Sequence, residues 1–112
     1  MVNKPKIRGT AWETAVVNCL KRAGWDHAER RALHGNLDKG DLAGIPGLVV
    51  EMKDCRSITP GPWLNEAHVE RDNAKAEVGV VWFKRRGKID PKDAFVLMDG
   101  DTFMRLLRGA GY

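Results

Sequence analysis

A chain of 112 residues, 43% apolar and 30% charged, is one domain's worth of polypeptide and can bury roughly two-thirds of its unfolded surface. That balance, with 12 Gly and 5 Pro, excludes disordered, collagen-like and low-complexity classes, and the longest uncharged, mostly apolar stretch, Leu42 to Val50, is too short to cross a membrane. The net charge of +4 is unevenly spread: residues 1–31 carry seven Lys/Arg against three Asp/Glu, residues 32–83 five against eight, and residues 84–112 seven against four.

Met1 to Arg8 has no apolar segment of the kind a secretory leader needs. Trp12, Ala15, Val16, Cys19, Leu20 and Ala23 recur at helical spacing and Gly24 stands at the stop, which predicts a first amphipathic helix from about Thr10 to Ala23. Thr10 and Glu13 fit a capping box at its start. Residues 26–34 read as a weak strand. Asp41 to Ile45 and Leu48 to Lys53, divided by Pro46-Gly47, predict a hairpin of adjacent antiparallel strands. Pro60 and Pro62 punctuate a loop, and a second helix opens at Pro62, with Trp63, Ala67, Val69, Ala74 and Val78 as its apolar positions, and crosses back over the sheet. Val78 to Phe83 is a near-continuous apolar run, the pattern of a central strand parallel to Leu48–Lys53. A turn at Arg85 to Lys88, an edge strand Ala94 to Met98 and a closing helix carrying Phe103, Leu106 and Leu107, of which Phe103 and Leu107 are expected to pack in the core, complete the order αβββαββα. The expected architecture is an α/β fold, a mixed β-sheet flanked by helices in a single domain spanning 1–112.

Each of the eight carboxylates in the acidic middle opposes attraction to phosphate, so they suit an enzyme that sets metal ions against phosphate better than a protein that only coats nucleic acid. Most of them individually are ordinary solvated residues. Glu51 and Lys53 are the exception, because they interrupt an apolar strand and leave it on the same face. Asp41 begins the neighbouring arm of the hairpin. Asp41, Glu51 and the Met52 backbone carbonyl offer the all-oxygen donor set that suits one or two Mg2+ ions, with Lys53 beside them to orient water or stabilise charge on phosphate oxygens. Taken alone, Glu-x-Lys is also simply an ion pair on a strand.

Lys84, Arg85, Arg86 and Lys88 at one turn, with Lys4, Lys6, Arg8, Arg30 and Arg31, predict a basic rim around the acidic centre that contacts phosphates without reading bases; solvated turns and strand-edge protection are the plainer roles. His27, His34 and His68 have no metal-ligand spacing, and Trp12, Trp25, Trp63 and Trp82 read as packing residues, with Trp63 the one placed to be exposed. Cys19 and Cys55 have no Cys or His partner at zinc spacing, so neither a zinc site nor a disulfide framework is expected, and a reducing cytoplasm is the natural compartment. No phosphate-binding loop or dinucleotide fingerprint occurs, so no nucleotide cofactor is expected.

The order Glu13 on the first helix, Asp41 before the hairpin, and Glu51-Met52-Lys53 on its second strand resembles the PD-(D/E)XK nuclease superfamily, and within it the small Holliday junction resolvases of archaea and phages. The likeness spans roughly Arg8 to Arg108. It implies a restriction-endonuclease-like fold, cleavage of DNA phosphodiesters with Mg2+ (Mn2+ able to substitute), and a homodimer that cuts two strands of a four-way junction. The motif residues map onto Glu13, Asp41, Glu51 and Lys53 as the catalytic set, with Glu13 reaching a metal directly or through water. Gly40 precedes Asp41 in place of the Pro of the family name, and Asn65 and Glu66 stand where relatives often carry Gln. Another nuclease of the same superfamily, whether restriction-like, repair or exonuclease, and a non-catalytic DNA-binding module are the alternatives.

Overall fold

The computed structural model describes residues 4–32 and 35–112, with side chains from Arg8 onward. The elements run α1 (Lys4–Arg22), β1 (Glu29–Arg30), β2 (Leu42–Ala43), β3 (Leu48–Lys53), α2 (Pro60–Ala74), β4 (Val78–Phe83), a 3-10 turn (Pro91–Asp93), β5 (Phe95–Leu97) and α3 (Gly100–Gly109). This is an α/β fold in the expected element order.

Helix α1 begins at Lys4, more than a turn before Thr10. Pro5 explains the early start, since the first helical turn needs no donor from it and its fixed φ is already helical. Thr10 and Glu13 therefore lie in the helix interior, and no capping box exists there. Trp12, Val16, Val17 and Leu20 form the buried stripe and pack on Ala28, Leu42, Val50, Met52 and Val80.

Strands β3 and β4 are parallel, paired from Leu48 with Val78 through Lys53 with Phe83, and β5 runs antiparallel along the other side of β4. β4 is thus central. Alternation along β3 sends Val50 and Met52 toward α1 and sends Val49, Glu51 and Lys53 toward α2. On the α2 side, Trp63, Ala67 and Val81 form a second cluster with Phe83 and Leu97, and the Trp63 and Phe83 rings meet edge to face at 5.3 Å. Gly79 lies under α2. A Cβ there would stand 2.8 Å from the Ala67 carbonyl oxygen and 3.0 Å from the Arg71 Cβ, so only a residue without a side chain allows the helix to sit this close.

The hairpin differs from expectation. Its arms touch through the Asp41 N–H, which donates to the Val50 carbonyl at 2.9 Å, but β2 pairs antiparallel with β1 in a separate two-stranded sheet. A Cβ at Gly44 would run into the His27 carbonyl, and this close crossing of the residue 27 segment ends β2 after two residues.

Several packing expectations are also corrected. Trp63 is buried while Trp25 is 50% exposed. Val69 faces outward, and α2 opens at Pro60, two residues before Pro62. On α3, capped by the Asp99 carboxylate accepting from the Thr102 N–H, Thr102 is buried, whereas Phe103, Met104 and Leu106 are exposed. Phe103 is therefore no core residue. Among the described residues no helix is long and apolar enough to cross a membrane.

Candidate functional site

A helix that links two parallel strands must run back antiparallel to them, so the early residues of α2 lie over the end of β3. Two residues of strand advance about 6.7 Å and four residues of helix about 6 Å, so Glu66 and Glu70 match the spacing of Lys53 and Glu51. The contacts follow. Lys53 Nζ lies 3.0 Å from Glu66 Oε1 and 4.0 Å from Glu51 Oε1. Glu70 packs against Glu51 at 1% exposure, Glu51 itself is 7% exposed, and neither Glu70 oxygen has a hydrogen-bond donor.

Asp41 joins the cluster from the free edge of β3. Its backbone N–H donates to the Val50 carbonyl, and one turn of the pleat further on its Oδ2 accepts the Met52 N–H at 2.8 Å. The carboxylate thus takes the place of a neighbouring strand, which fixes its position without a rotamer of its own to spare. Both Glu13 and Glu51 lie within hydrogen-bonding reach of it. Glu13 projects from α1 and also receives Arg30 Nη2 at 3.4 Å. The four residues of the predicted catalytic set, Glu13, Asp41, Glu51 and Lys53, are therefore brought together from three parts of the chain.

The electrostatics are those of a crowded acid cluster. Burial, then contact with Glu70 and Asp41, pushes the Glu51 carboxyl far above the usual carboxylate range. Burial likewise pushes Glu70 up to about 7, with Asp38, Glu66 and Asp41 adding to it, although the Glu51 contact works the other way. Glu13 is raised by burial and then by Asp41, against the opposing pull of Arg30. For Lys53, burial disfavours the charge, but the Glu66 contact and the charges of Glu51 and Glu66 outweigh it, so the ammonium is stabilised. Lys53 is a cation at neutral pH and not a base.

Two residues of the site escaped the sequence reading. Trp63, Ala67 and Glu70 stand at i, i+4 and i+7, so a carboxylate occupying the buried stripe of α2 was the available signal. The other is Asp38, whose Oδ1 accepts the Gly40 N–H at 2.9 Å while its backbone carbonyl accepts Asn73 Nδ2 at 2.9 Å. Carboxylate oxygens of Asp38, Glu51 and Glu70 lie within 4.8 Å of one another. Buried carboxylate oxygens without donors, facing other carboxylates, are what a hard divalent cation requires, so the residues present fit such an ion.

The predicted basic residues divide into two groups. Arg8, Lys84, Arg85 and Arg86 line a groove of about 520 Å³ that begins at Asp54, next in the chain after Lys53, and Arg56 joins them without having been expected. Phe95 forms its apolar wall, with the Arg85 guanidinium 5.3 Å from the ring centroid. Lys88 closes the turn behind it, its N–H donating to the Arg85 carbonyl, and does not line the groove. Arg30 and Arg31 sit on the other side, beside the carboxylates: Arg30 pairs with Glu13, and Arg31 donates to the Leu42 carbonyl at 3.2 Å and lines a cavity with Asp38, Gly40 and Asp41. His68 Nε2 lies 3.3 Å from Asp99 Oδ2, and His34 and the side chains of Lys4 and Lys6 are outside the described residues.

Compared with known proteins, the chain matches no family model, no curated protein and no solved structure.

Proposed function

We propose that this protein is a metal-dependent DNA endonuclease of the PD-(D/E)XK type, with a restriction-endonuclease-like fold, acting on branched DNA as a homodimer in the manner of a Holliday junction resolvase. The observation that carries the reading is the convergence of Glu13, Asp41, Glu51 and Lys53 on one patch, next to a groove lined by five Lys/Arg side chains. Acid and base clusters side by side attract a metal ion and a polyanion to the same place. The element order and the α2 crossover between β3 and β4 support the fold half of the reading.

Asp41, Glu51 and the Met52 carbonyl would hold Mg2+, or Mn2+ in its place, and Glu13 would contact it through water. A bound divalent ion supplies a more acidic water and neutralises charge on the phosphate. The chain does the rest. Asp41 is held in register by the Met52 N–H, so its free oxygen is aimed before substrate arrives. Lys53, steadied by Glu66, presents a fixed ammonium to the phosphate oxygens that gain charge, the kind of preorganised contact whose removal costs about 10²–10³ in rate. Its partly exposed pair with Glu66 is worth only about 0.2–1 kcal/mol, so that contact matters for position more than for stability. Arg8, Arg56 and Lys84–Arg86 would hold the phosphates flanking the scissile bond.

Glu51→Gln keeps the shape of the side chain and removes its charge. It should reduce Mg2+-dependent cleavage at least 10²-fold while DNA binding survives or strengthens, because carboxylate–phosphate repulsion is relieved. Labelled four-way, flap and linear DNAs cleaved in parallel give the measurement, with a cruciform plasmid reporting paired cuts as linear product and single cuts as nicked circles. Near wild-type rates for Glu51→Gln at saturating Mg2+ would remove the metal assignment. Nicked circles alone, from a protein monomeric by light scattering, would leave a nicking nuclease in place of a resolvase.

A further inference from the structure

We infer that Asp38, Glu51 and Glu70 form a divalent-cation site of their own, distinct from the Asp41 position and sharing Glu51 with it. The sharing of Glu51 ties the site to the proposed nuclease centre in space, but its occupancy does not depend on catalysis. Glu70 is the residue that demands an explanation. It is 1% exposed, both its oxygens lack a donor, and the cations nearby are committed elsewhere: Lys53 Nζ to Glu66 at 3.0 Å and Arg71 Nε to Asp72 at 3.1 Å. Packed against Glu51 and other carboxylates, with no cation paired to it, a buried Glu70 is tolerated only as the neutral acid, sharing a proton with its neighbours, or beside a bound cation. A leucine at this place on the α2 stripe would serve packing better.

The surroundings are arranged for a ligand. Asp38 is held from two directions, by the Gly40 N–H on Oδ1 and by Asn73 Nδ2 on its backbone carbonyl, and Asn73 lies one turn beyond Glu70 on the same helix. Gly40, at φ +88°, keeps the floor of the site open, since a Cβ would stand 2.8 Å from Val49 Cγ1 and 3.5 Å from Glu70 Oε2. Three carboxylates from a loop, a strand and a helix, with oxygens within 4.8 Å of one another, give an all-oxygen donor set. That chemistry selects hard ions such as Mg2+, Mn2+ or Ca2+ over zinc, for which thiolate and imidazole donors are the usual choice. The ion would pin the residue 38–41 loop to α2 and so steady Asp41.

The test counts Mn2+ bound to the full chain by electron paramagnetic resonance of the free ion in a titration at neutral pH. Wild type should bind one more ion than Glu70→Gln, or hold that ion at least tenfold more tightly, and Asp38→Asn should show the same deficit. Counts of two falling to one mean that both cation positions exist; one falling to zero means that the Glu70 site stands while the Asp41 site, and the nuclease reading with it, fails. Asp41→Asn should retain the Glu70-dependent ion. Equal counts and affinities for wild type, Glu70→Gln and Asp38→Asn would overturn the inference. Circular dichroism checks that Glu70→Gln is folded, and should it not fold, Asp38→Asn on its exposed loop decides the outcome alone.

Discussion

Glu70 carries a pH dependence that a comparison of the wild type with Glu70→Gln brings out of the acid cluster it shares with Glu51, Asp38 and Asp41. Its carboxyl is raised from 4.5 to about 7 in the folded chain, burial being the first cause, so between those values the folded state binds a proton that the unfolded state has lost. The resulting stabilisation is fully present below about 4.5 and disappears as pH rises through about 7, at no more than about 1.4 kcal/mol per pH unit. In EDTA, the thermal midpoint of the wild type should therefore fall from pH 5.5 to pH 8 relative to that of Glu70→Gln, which has no proton to lose. Mg2+ should raise the wild-type midpoint more at pH 8 than at pH 5.5, because a cation replaces the proton only where the ligands are ionised. Parallel midpoint curves for the two proteins in EDTA would show that Glu70 is not titrating in this range.

At the scale of elements, β3 and β4 coincide with their sequence assignments, β4 because its run from Val78 to Phe83 is nearly unbroken and apolar and β3 because Pro46-Gly47 marks its start. Where polarity breaks the pattern, sequence and structure part for identifiable reasons. The first turn of α1 is basic and shows no apolar period, so only Pro5 betrays it. The closing helix is legible, but its apolar positions point to a core they do not join; Asp99 and Thr102 anchor α3 at its start while Phe103 and Leu106 stay in solvent. The site divides in the same way. Asp41, Glu51 and Lys53 are legible because a hairpin and a strand fix their faces, and Glu70 is not, because a charged residue in a buried stripe resembles a gap in that stripe until the partner element is in place. Asp38 lies in a turn, where an Asp is expected for backbone reasons alone.

At the scale of the molecule, five Lys/Arg side chains line a groove beside the acid cluster, and the salt dependence of DNA binding is the test of that groove. Replacing Arg85 and Arg86 together by Ala should weaken DNA binding across sequences and reduce the salt slope by about 1 for each phosphate no longer neutralised, with cleavage at saturating DNA retained. A slope unchanged by the double substitution would mean that the turn touches no DNA. The acid cluster has a different sensitivity, because its carboxylates belong to separate layers whose distance apart is set by packing. Gly79 is the gauge of that distance, through the 2.8 Å that a Cβ would leave to the Ala67 carbonyl. Ala at this position adds no charge and touches no carboxylate, yet it must lift α2, and Glu70 with it, by a few tenths of an ångström. Mg2+ demands oxygens at about 2.0–2.1 Å in a near-ideal octahedron, while Ca2+ accepts about 2.3–2.6 Å and irregular geometry. A methyl group under the helix should therefore move the ratio of Ca2+ to Mg2+ affinity in favour of the larger ion, as competition titration would show, making ionic radius a property of how closely a helix rests on its sheet.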